Sequence, residues 1–383
     1  MLFEHLAAEL TDLAGRGLTR RRRVLDGPQG AQVQVGGRPL LAFASNDYLG
    51  LANHPQLIAA AQEGAARYGV GSGASHLVLG HSAAHQALEE ALAAFVAMPR
   101  ALLFSSGYMA NVGIVTALAG RDDAVFADKL NHASLNDAAL LSGAAFKRYP
   151  HCDVAALEQR LATSRARRRL IVTDAVFSMD GDIAPLAELT ALAERHDAWL
   201  VVDDAHGFGV LGAEGRGTLD HLGVHSSHII YMGTLGKAAG VYGAFVAAQD
   251  DVIETLLQRA HTYIYTTATP PLLAHVLLCS LALIRTEQWR RDRLTQHVAL
   301  LKACLADSRF RLLPSATAIQ PLIVGDNDAA VAASDALLAD GILVPAIRPP
   351  TVPVNTARLR ISLSAAHDAA DVERLSAALM RIR

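Results

Sequence analysis

From about residue 41 to residue 250 the chain repeats one pattern: a short apolar run, an amphipathic stretch, then another short apolar run. The apolar runs are Ala101–Phe104, Ala124–Ala127, Leu170–Phe177, Trp199–Asp203, His228–Met232 and Gly243–Ala247. They are short for helices and apolar at consecutive positions, so each reads as a strand covered on both faces. The stretches between them carry helical spacing. In Ala84–Val96, for example, Leu88, Leu92 and Phe95 share one face. Strands alternating with helices predict an α/β fold with a mostly parallel central sheet covered by helices.

The rest of the chain reads differently. The first 40 residues suggest a helix, a basic run at Arg20–Arg23 and a glycine-rich turn. Beyond Thr269-Pro270-Pro271 a long helical region covers about residues 272–305. Strands at Ala318–Val324, Ile342–Ile347 and Leu359–Leu363, with helices at 329–339 and 367–382, predict a smaller C-terminal α/β domain. The expected division is therefore 1–40 as an N-terminal segment, 41–270 as the large domain, and 271–383 as a linking helix plus the small domain.

Composition excludes several classes. With 383 residues and 51% hydrophobic content, the chain can bury a large core. Its net charge of -3 leaves no electrostatic footprint for nucleic acid. No apolar run reaches the roughly 18 residues that a membrane span needs. The opening stretch carries Glu4, Glu9 and Asp12 and has no basic start, unlike a targeting signal. Cys152, Cys279 and Cys304 are odd in number and far apart, which suggests neither a disulfide framework nor a zinc site. The expected compartment is the cytoplasm.

Two glycine-rich motifs fail on context. Gly69-Val-Gly-Ser-Gly73 follows a helical stretch rather than a strand, so it does not fit a dinucleotide fingerprint. In Gly233-Thr-Leu-Gly-Lys237 the first glycine is misplaced for a P-loop. Ala238 also stands where a P-loop places the serine or threonine that binds magnesium. His81 and His85 sit four apart with no carboxylate base between them, and packed or surface histidines account for them.

Three segments remain, each at the C-terminal end of an expected strand, where open α/β sheets bind ligands. They are Val201-Val-Asp203-Asp204-Ala-His206-Gly, Tyr231-Met-Gly-Thr234-Leu-Gly-Lys237 and Leu103-Phe-Ser-Ser-Gly107-Tyr108. A pyridoxal phosphate cofactor needs a lysine amine, an acid beside its ring nitrogen, and donors for its phosphate where a helix starts. Lys237, Asp203 and the Gly107-Tyr108 pair offer one candidate for each. Taken singly, each has a plainer account: a solvated loop lysine, a strand-end cap and a turn. The combination is what carries the reading.

At these residues the chain resembles the α-oxoamine synthases, which are fold-type I pyridoxal-phosphate enzymes. The resemblance extends to Ser45-Asn-Asp-Tyr-Leu-Gly50, Asn131-His-Ala-Ser134, Val176-Phe-Ser-Met-Asp-Gly181 and Tyr265-Thr-Thr267, and runs from about Arg20 to the C-terminus. It implies that Lys237 forms the Schiff base, Asp203 pairs with the pyridinium nitrogen, His206 approaches the ring hydroxyl and His132 stacks on the ring. It gives Ser178 a bond near the hydroxyl and gives Gly107, Tyr108 and Thr234 the phosphate. Thr266 and Thr267 would reach the phosphate of a neighbouring subunit, which implies a homodimer with shared sites. Arg360 would grip the amino-acid carboxylate.

Within the family, Ile347-Arg348-Pro-Pro-Thr351-Val-Pro353 and Ile319-Gln-Pro-Leu-Ile-Val-Gly-Asp-Asn327 are similar to one branch. That branch condenses L-alanine with a pimeloyl thioester, carried on coenzyme A or acyl carrier protein, in biotin synthesis. Arg20, Asn46, His132 and Thr351 would then be substrate contacts beside Arg360. Glycine-using sister enzymes remain the alternative, and a non-catalytic subunit of the same fold the remote one. One departure is visible: His76, in Gly71-Ser-Gly-Ala-Ser-His76, stands where many members carry arginine.

Overall fold

The computed structural model describes residues 3–16, 18–19 and 22–382. Its centre is a seven-stranded sheet. The chain first makes a hairpin, β1 (Gln32–Val35) and β2 (Arg38–Ala42), and then enters the sheet. The sheet strands are β3 (Arg100–Phe104), β4 (Ala124–Asp128), β5 (Ala145–Tyr149), β6 (Arg169–Asp174), β7 (Trp199–Asp203), β8 (Ile229–Thr234) and β9 (Ala244–Ala248). They lie in the order β3-β9-β8-β7-β6-β4-β5, and only β9 runs against its neighbours.

The consecutive apolar residues supply both faces, as expected. Ile171, Leu200, Val202 and Tyr231 pack into the core on one side of the sheet. Leu170, Val172, Val201, Ile230 and Met232 pack on the other. This alternation settles the fate of two adjacent acids. Asp203 continues the Val201 face and meets the helix Gly107–Leu118. Asp204 turns to the opposite face. There it accepts bonds from Thr218 Oγ1, from the Thr218 N–H (2.7 Å) and from the Tyr231 hydroxyl (2.9 Å).

The smaller part of the molecule holds β10 (Arg311–Leu312), β11 (Ile319–Gly325), β12 (Ile342–Leu343), β13 (Ala346–Ile347) and β14 (Ala357–Ser362). β10, β11, β14 and β13 form one antiparallel sheet. β12 pairs in parallel with β2. The sequence suggested one strand over Ile342–Ile347. The structure divides it at Val344-Pro345, because proline has no N–H for a ladder, and the two halves join different sheets. Likewise, the expected long helix is two, Pro271–Thr286 and Gln288–Cys304. The expected Leu170–Phe177 strand ends at Asp174. The β1–β2 hairpin and β5 had no clear apolar signal. β5 is an edge strand of mixed exposure, AFKRY, which explains its weak pattern.

The segment 43–49 joins the two parts. The Phe43 carbonyl accepts from Ser362 N–H (2.9 Å), the Asp47 carbonyl from Ser364 Oγ (2.7 Å), the Tyr48 carbonyl from Ala365 N–H (2.8 Å) and the Leu49 carbonyl from Arg290 Nη1 (2.7 Å). No helix among the described residues is long and apolar enough to cross a membrane.

Asp204→Ala should be strongly destabilising while leaving the opposite face of β7 in place. It strands three buried donors, at a cost of roughly 2–4 kcal/mol. Denaturant unfolding of the variant would show this as a lower midpoint.

Candidate active site

The C-terminal ends of the inner strands of the large sheet border a cavity of about 170 Å³. Several elements build its walls. Asp174, Asp203 and Thr234 close β6, β7 and β8. Gly107 and Tyr108 open the helix after β3. His132 caps the helix Ala133–Ser142 after β4. Lys237 comes from the tight loop between β8 and β9, where Leu235 N–H donates to Gly243 O and Gly240 N–H donates to Lys237 O, both at 2.8 Å. Gly240 holds a φ of 69°, and a Cβ there would lie 2.6 Å from Ala52 N, so the loop requires glycine.

A polar network ties these walls together. Asn111 Nδ2 donates to Asp203 Oδ2 at 2.7 Å and to Ser134 Oγ at 2.9 Å. Ser134 Oγ lies 2.7 Å from His132 Nδ1, which also accepts from the Ser134 N–H at 3.3 Å. The His132 ring orientation is thus set from the same amide that holds Asp203. Asp203 Oδ1 accepts from Ala205 N–H at 3.0 Å. Asp174 lies in register with Asp203 across β6 and β7. Burial and the nearby Asp203 charge push the Asp174 pKa well above the usual carboxylate range.

Lys237 Nζ lies 2.7 Å from His206 Nε2, and His206 Nδ1 lies 2.7 Å from the Tyr48 hydroxyl. Burial lowers the Lys237 pKa to about 8, against the opposing pull of Asp203 and Asp174. Burial and the Lys237 charge hold His206 well below its ordinary value, so its ring is neutral. A neutral ring can accept from the lysine ammonium at Nε2 while Nδ1–H donates to Tyr48.

Arg360 approaches from β14. It is buried, and it donates to Ser178 O (Nε, 2.6 Å), Ser362 Oγ (Nη1, 2.7 Å) and Asn46 Oδ1 (Nη2, 3.3 Å). No carboxylate pairs with it among the described residues. A buried guanidinium held by neutral acceptors is suited to an anionic ligand.

The chemistry of this donor set fits pyridoxal phosphate. It offers an amine of lowered pKa, a buried acid, an imidazole on the cavity wall and the free N–H groups of a helix start. Asn111 Oδ1 is also buried without a partner among the described residues, so the cavity wall has an unmet acceptor.

Comparison with known proteins agrees. The family described as aminotransferase class I and II matches residues 38–379. An 8-amino-7-oxononanoate synthase of Nitrosospira multiformis is 64% identical over 379 residues, 99% of this chain and 96% of the relative. The chain belongs to the 8-amino-7-oxononanoate synthase family. The same-named protein of Nitrosomonas europaea is 63% identical, covering 98% of this chain and 97% of its own. Among solved structures, a serine palmitoyltransferase from S. paucimobilis with bound PLP and myriocin superposes with a TM-score of 0.92 at 31% identity. That match covers 99% of this chain and 96% of that one. An 8-amino-7-oxononanoate synthase from Francisella tularensis gives 0.78 at 32% identity, covering 89% and 97%. The fold is that of the pyridoxal-phosphate-dependent transferases, and pyridoxal phosphate is the cofactor.

The structure brings Gly107, Tyr108, His132, Asp203, His206, Thr234 and Lys237 to one cavity. Asn46 and Arg360 meet beside it. Ser178 lies next to it, sharing with His132 and Thr351 a larger cleft of about 670 Å³. Thr266 and Thr267 do not line the cavity of their own chain. Arg20 falls outside the described residues. Asn111, Ser134, Asp174 and Tyr48 are site residues that had not been singled out. Asn111 was reachable, since it follows Gly107 by one helical turn. Asp174 ends the strand beside Asp203 and needed only the pairing of β6 with β7. His76 is buried against Tyr263 with its Nδ1 3.0 Å from His81 Nδ1, so no cation occupies the place of the family arginine.

The lowered Lys237 pKa is testable in the cofactor-free protein. Lys237 should react with an amine-selective reagent with a midpoint near pH 8, well below that of an ordinary lysine. Peptide mapping across pH would read it. A midpoint at the ordinary value would refute the burial argument.

Proposed function

We propose that this enzyme condenses L-alanine with a pimeloyl thioester, on coenzyme A or acyl carrier protein, to give 8-amino-7-oxononanoate, CO₂ and free thiol for biotin biosynthesis. The observation that carries the reading is Arg360: a buried cation with no acidic partner among the described residues, bonded to Asn46, in a chain where burial lowers the Lys237 pKa to about 8. An amino-acid carboxylate at Arg360 supplies the missing charge. The close relatives' shared name supplies the reaction.

Bound in the cavity, pyridoxal phosphate supplies a ring that accepts negative charge from the amino-acid Cα. The protein's residues do the rest. Lys237 Nζ anchors the cofactor and, once released, takes the Cα proton and later returns one. Its lowered pKa suits both tasks. Asp203, fixed by Asn111, holds the ring nitrogen protonated. His206, bonded to Tyr48, would hold the ring hydroxyl with Ser178, and His132 would hold the ring. Gly107, Tyr108 and Thr234 hold the phosphate. Arg360 and Asn46 orient the carboxylate that is lost as CO₂. Thr351, His132 and Arg20 contact the acyl substrate. Thr266 and Thr267 face the phosphate of a neighbouring subunit in a homodimer, and the enzyme works in the cytoplasm. Residues 41–270 carry the cofactor as one domain, and 271–383 close the site.

A matrix of three amino acids against several acyl thioesters tests this. CO₂ and thiol should appear only with L-alanine and the pimeloyl thioester. Equal or faster turnover of glycine with an acetyl or succinyl thioester would overturn the substrate assignment. Arg360→Lys should raise the KM for L-alanine by about 10–100-fold, because an ammonium cannot reproduce the bidentate fork.

A further inference from the structure

His151 does not line the cofactor cavity, and the reaction as derived above does not use it. Yet it joins the two turns that flank the site. Its Nδ1 lies 3.1 Å from Asp128 Oδ1 and its Nε2 lies 2.8 Å from Asp182 Oδ2. Its ring stands perpendicular to that of Phe177, with the centroids 4.4 Å apart. We infer that His151 is a positioning residue: by bridging Asp128 and Asp182 it sets the spacing between the turn that presents His132 and the turn that anchors Arg360.

Each limb leads to the site through short steps. Asp128 ends β4, and its Oδ1 also accepts from Leu130 N–H at 2.8 Å. Its Oδ2 accepts from Cys152 N–H at 2.7 Å. The turn so fixed runs directly into Asn131 and His132. On the other limb, Asp182 closes the turn 177–182, where Phe177 N–H donates to Asp182 O at 3.0 Å and Gly181 N–H to Phe177 O at 2.8 Å. That turn offers Ser178 O to Arg360 and Asp180 Oδ1 to Arg358 (2.7 Å). Met179 O also accepts from Arg358 Nη1 (3.1 Å) and Gly181 O from Ser315 Oγ and Thr317 Oγ1, and these donors too come from the smaller part of the molecule. His151 is therefore its side-chain tie to the β4 end of the large sheet.

The bridge is ionic. To donate to two carboxylates, both ring nitrogens must carry hydrogen. Burial opposes that charge, but the bonds to Asp128 and Asp182 outweigh it and hold the His151 pKa up to about 12. The charge is thus present throughout the neutral range, and the residue is a fixed clamp rather than a pH switch. Asp128, His151 and Cys152 stand close enough to suggest a metal site. His151 also meets Asp182, outside that trio, at 2.8 Å, and the clamp accounts for this contact.

The inference rests on the proposed function, because the amino-acid carboxylate at Arg360 is one of its readouts. The test compares holoenzyme of the wild type, Asp182→Ala and His151→Gln. Asp182 is partly exposed, so its removal should spare the fold. Asp182→Ala should raise the KM for L-alanine about tenfold with kcat within about threefold, and leave cofactor affinity and melting temperature near wild type. His151→Gln should show the same KM effect and also weaken pyridoxal phosphate binding severalfold, because Asp128, at the start of the His132 turn, loses its ionic partner as well. Unchanged KM in Asp182→Ala would overturn the proposal. So would equal losses in kcat and kcat/KM that track a lowered melting temperature. If the wild type binds cofactor but does not turn over L-alanine, the functional reading fails. Cofactor affinity in His151→Gln still decides the clamp in that case.

Discussion

A carboxylate at the end of a strand buried on both faces must find donors or lose its charge. Asp203 finds Asn111 and the Ala205 N–H, and much of the site follows from that requirement. Asn111 can serve only if the helix Gly107–Leu118 lies flat across the Val201 face of the sheet. That placement points the start of the same helix into the cavity. Through Ser134, the amide also fixes the ring of His132. One buried charge therefore organises the acid, the helix start and the imidazole. Alternation along the strand sends Asp204 away to a structural role on the opposite face.

The second organising contact is between the two parts of the chain. Arg360 arrives from β14 in the small part, Asn46 and Tyr48 from the joining segment, and Lys237 from the large sheet. The Tyr48 hydroxyl links them, because it lies 2.7 Å from His206 Nδ1 and accepts from Arg360 Nη2 at 3.5 Å. Arg360 and His206 are thereby connected through a single phenol. A shift of the small part moves Arg360, and the Tyr48–His206–Lys237 chain lies directly beside it.

How much of this was legible in the sequence depends on the physical signal each residue leaves. The central strands were visible because both of their faces are apolar. Trp199–Asp203 appears in the structure with the limits the pattern suggested. β5 was hidden because an edge strand has polar neighbours. The split at Pro345 could be anticipated only from the missing N–H, not from hydropathy. In the site, Lys237, Asp203 and Gly107 were readable because each ends or follows a strand. Asp174 was not, since its meaning depends on β6 lying beside β7, and that is a property of topology. Tyr48 stood inside a motif that was noticed, but its task depends on a partner, His206, far along the chain.

The parallel pairing of β12 with β2 has a consequence for assembly. Ile342 pairs with Leu41, so the hairpin waits for a strand made about 300 residues later. Asn46, just beyond that hairpin, waits in the same way for Arg360. A nascent chain can build the large sheet as it emerges, because those strands follow one another closely. It cannot join Asn46 to Arg360 until the chain has been made past residue 360. The order of translation thus separates the making of the cofactor platform from the making of a competent enzyme.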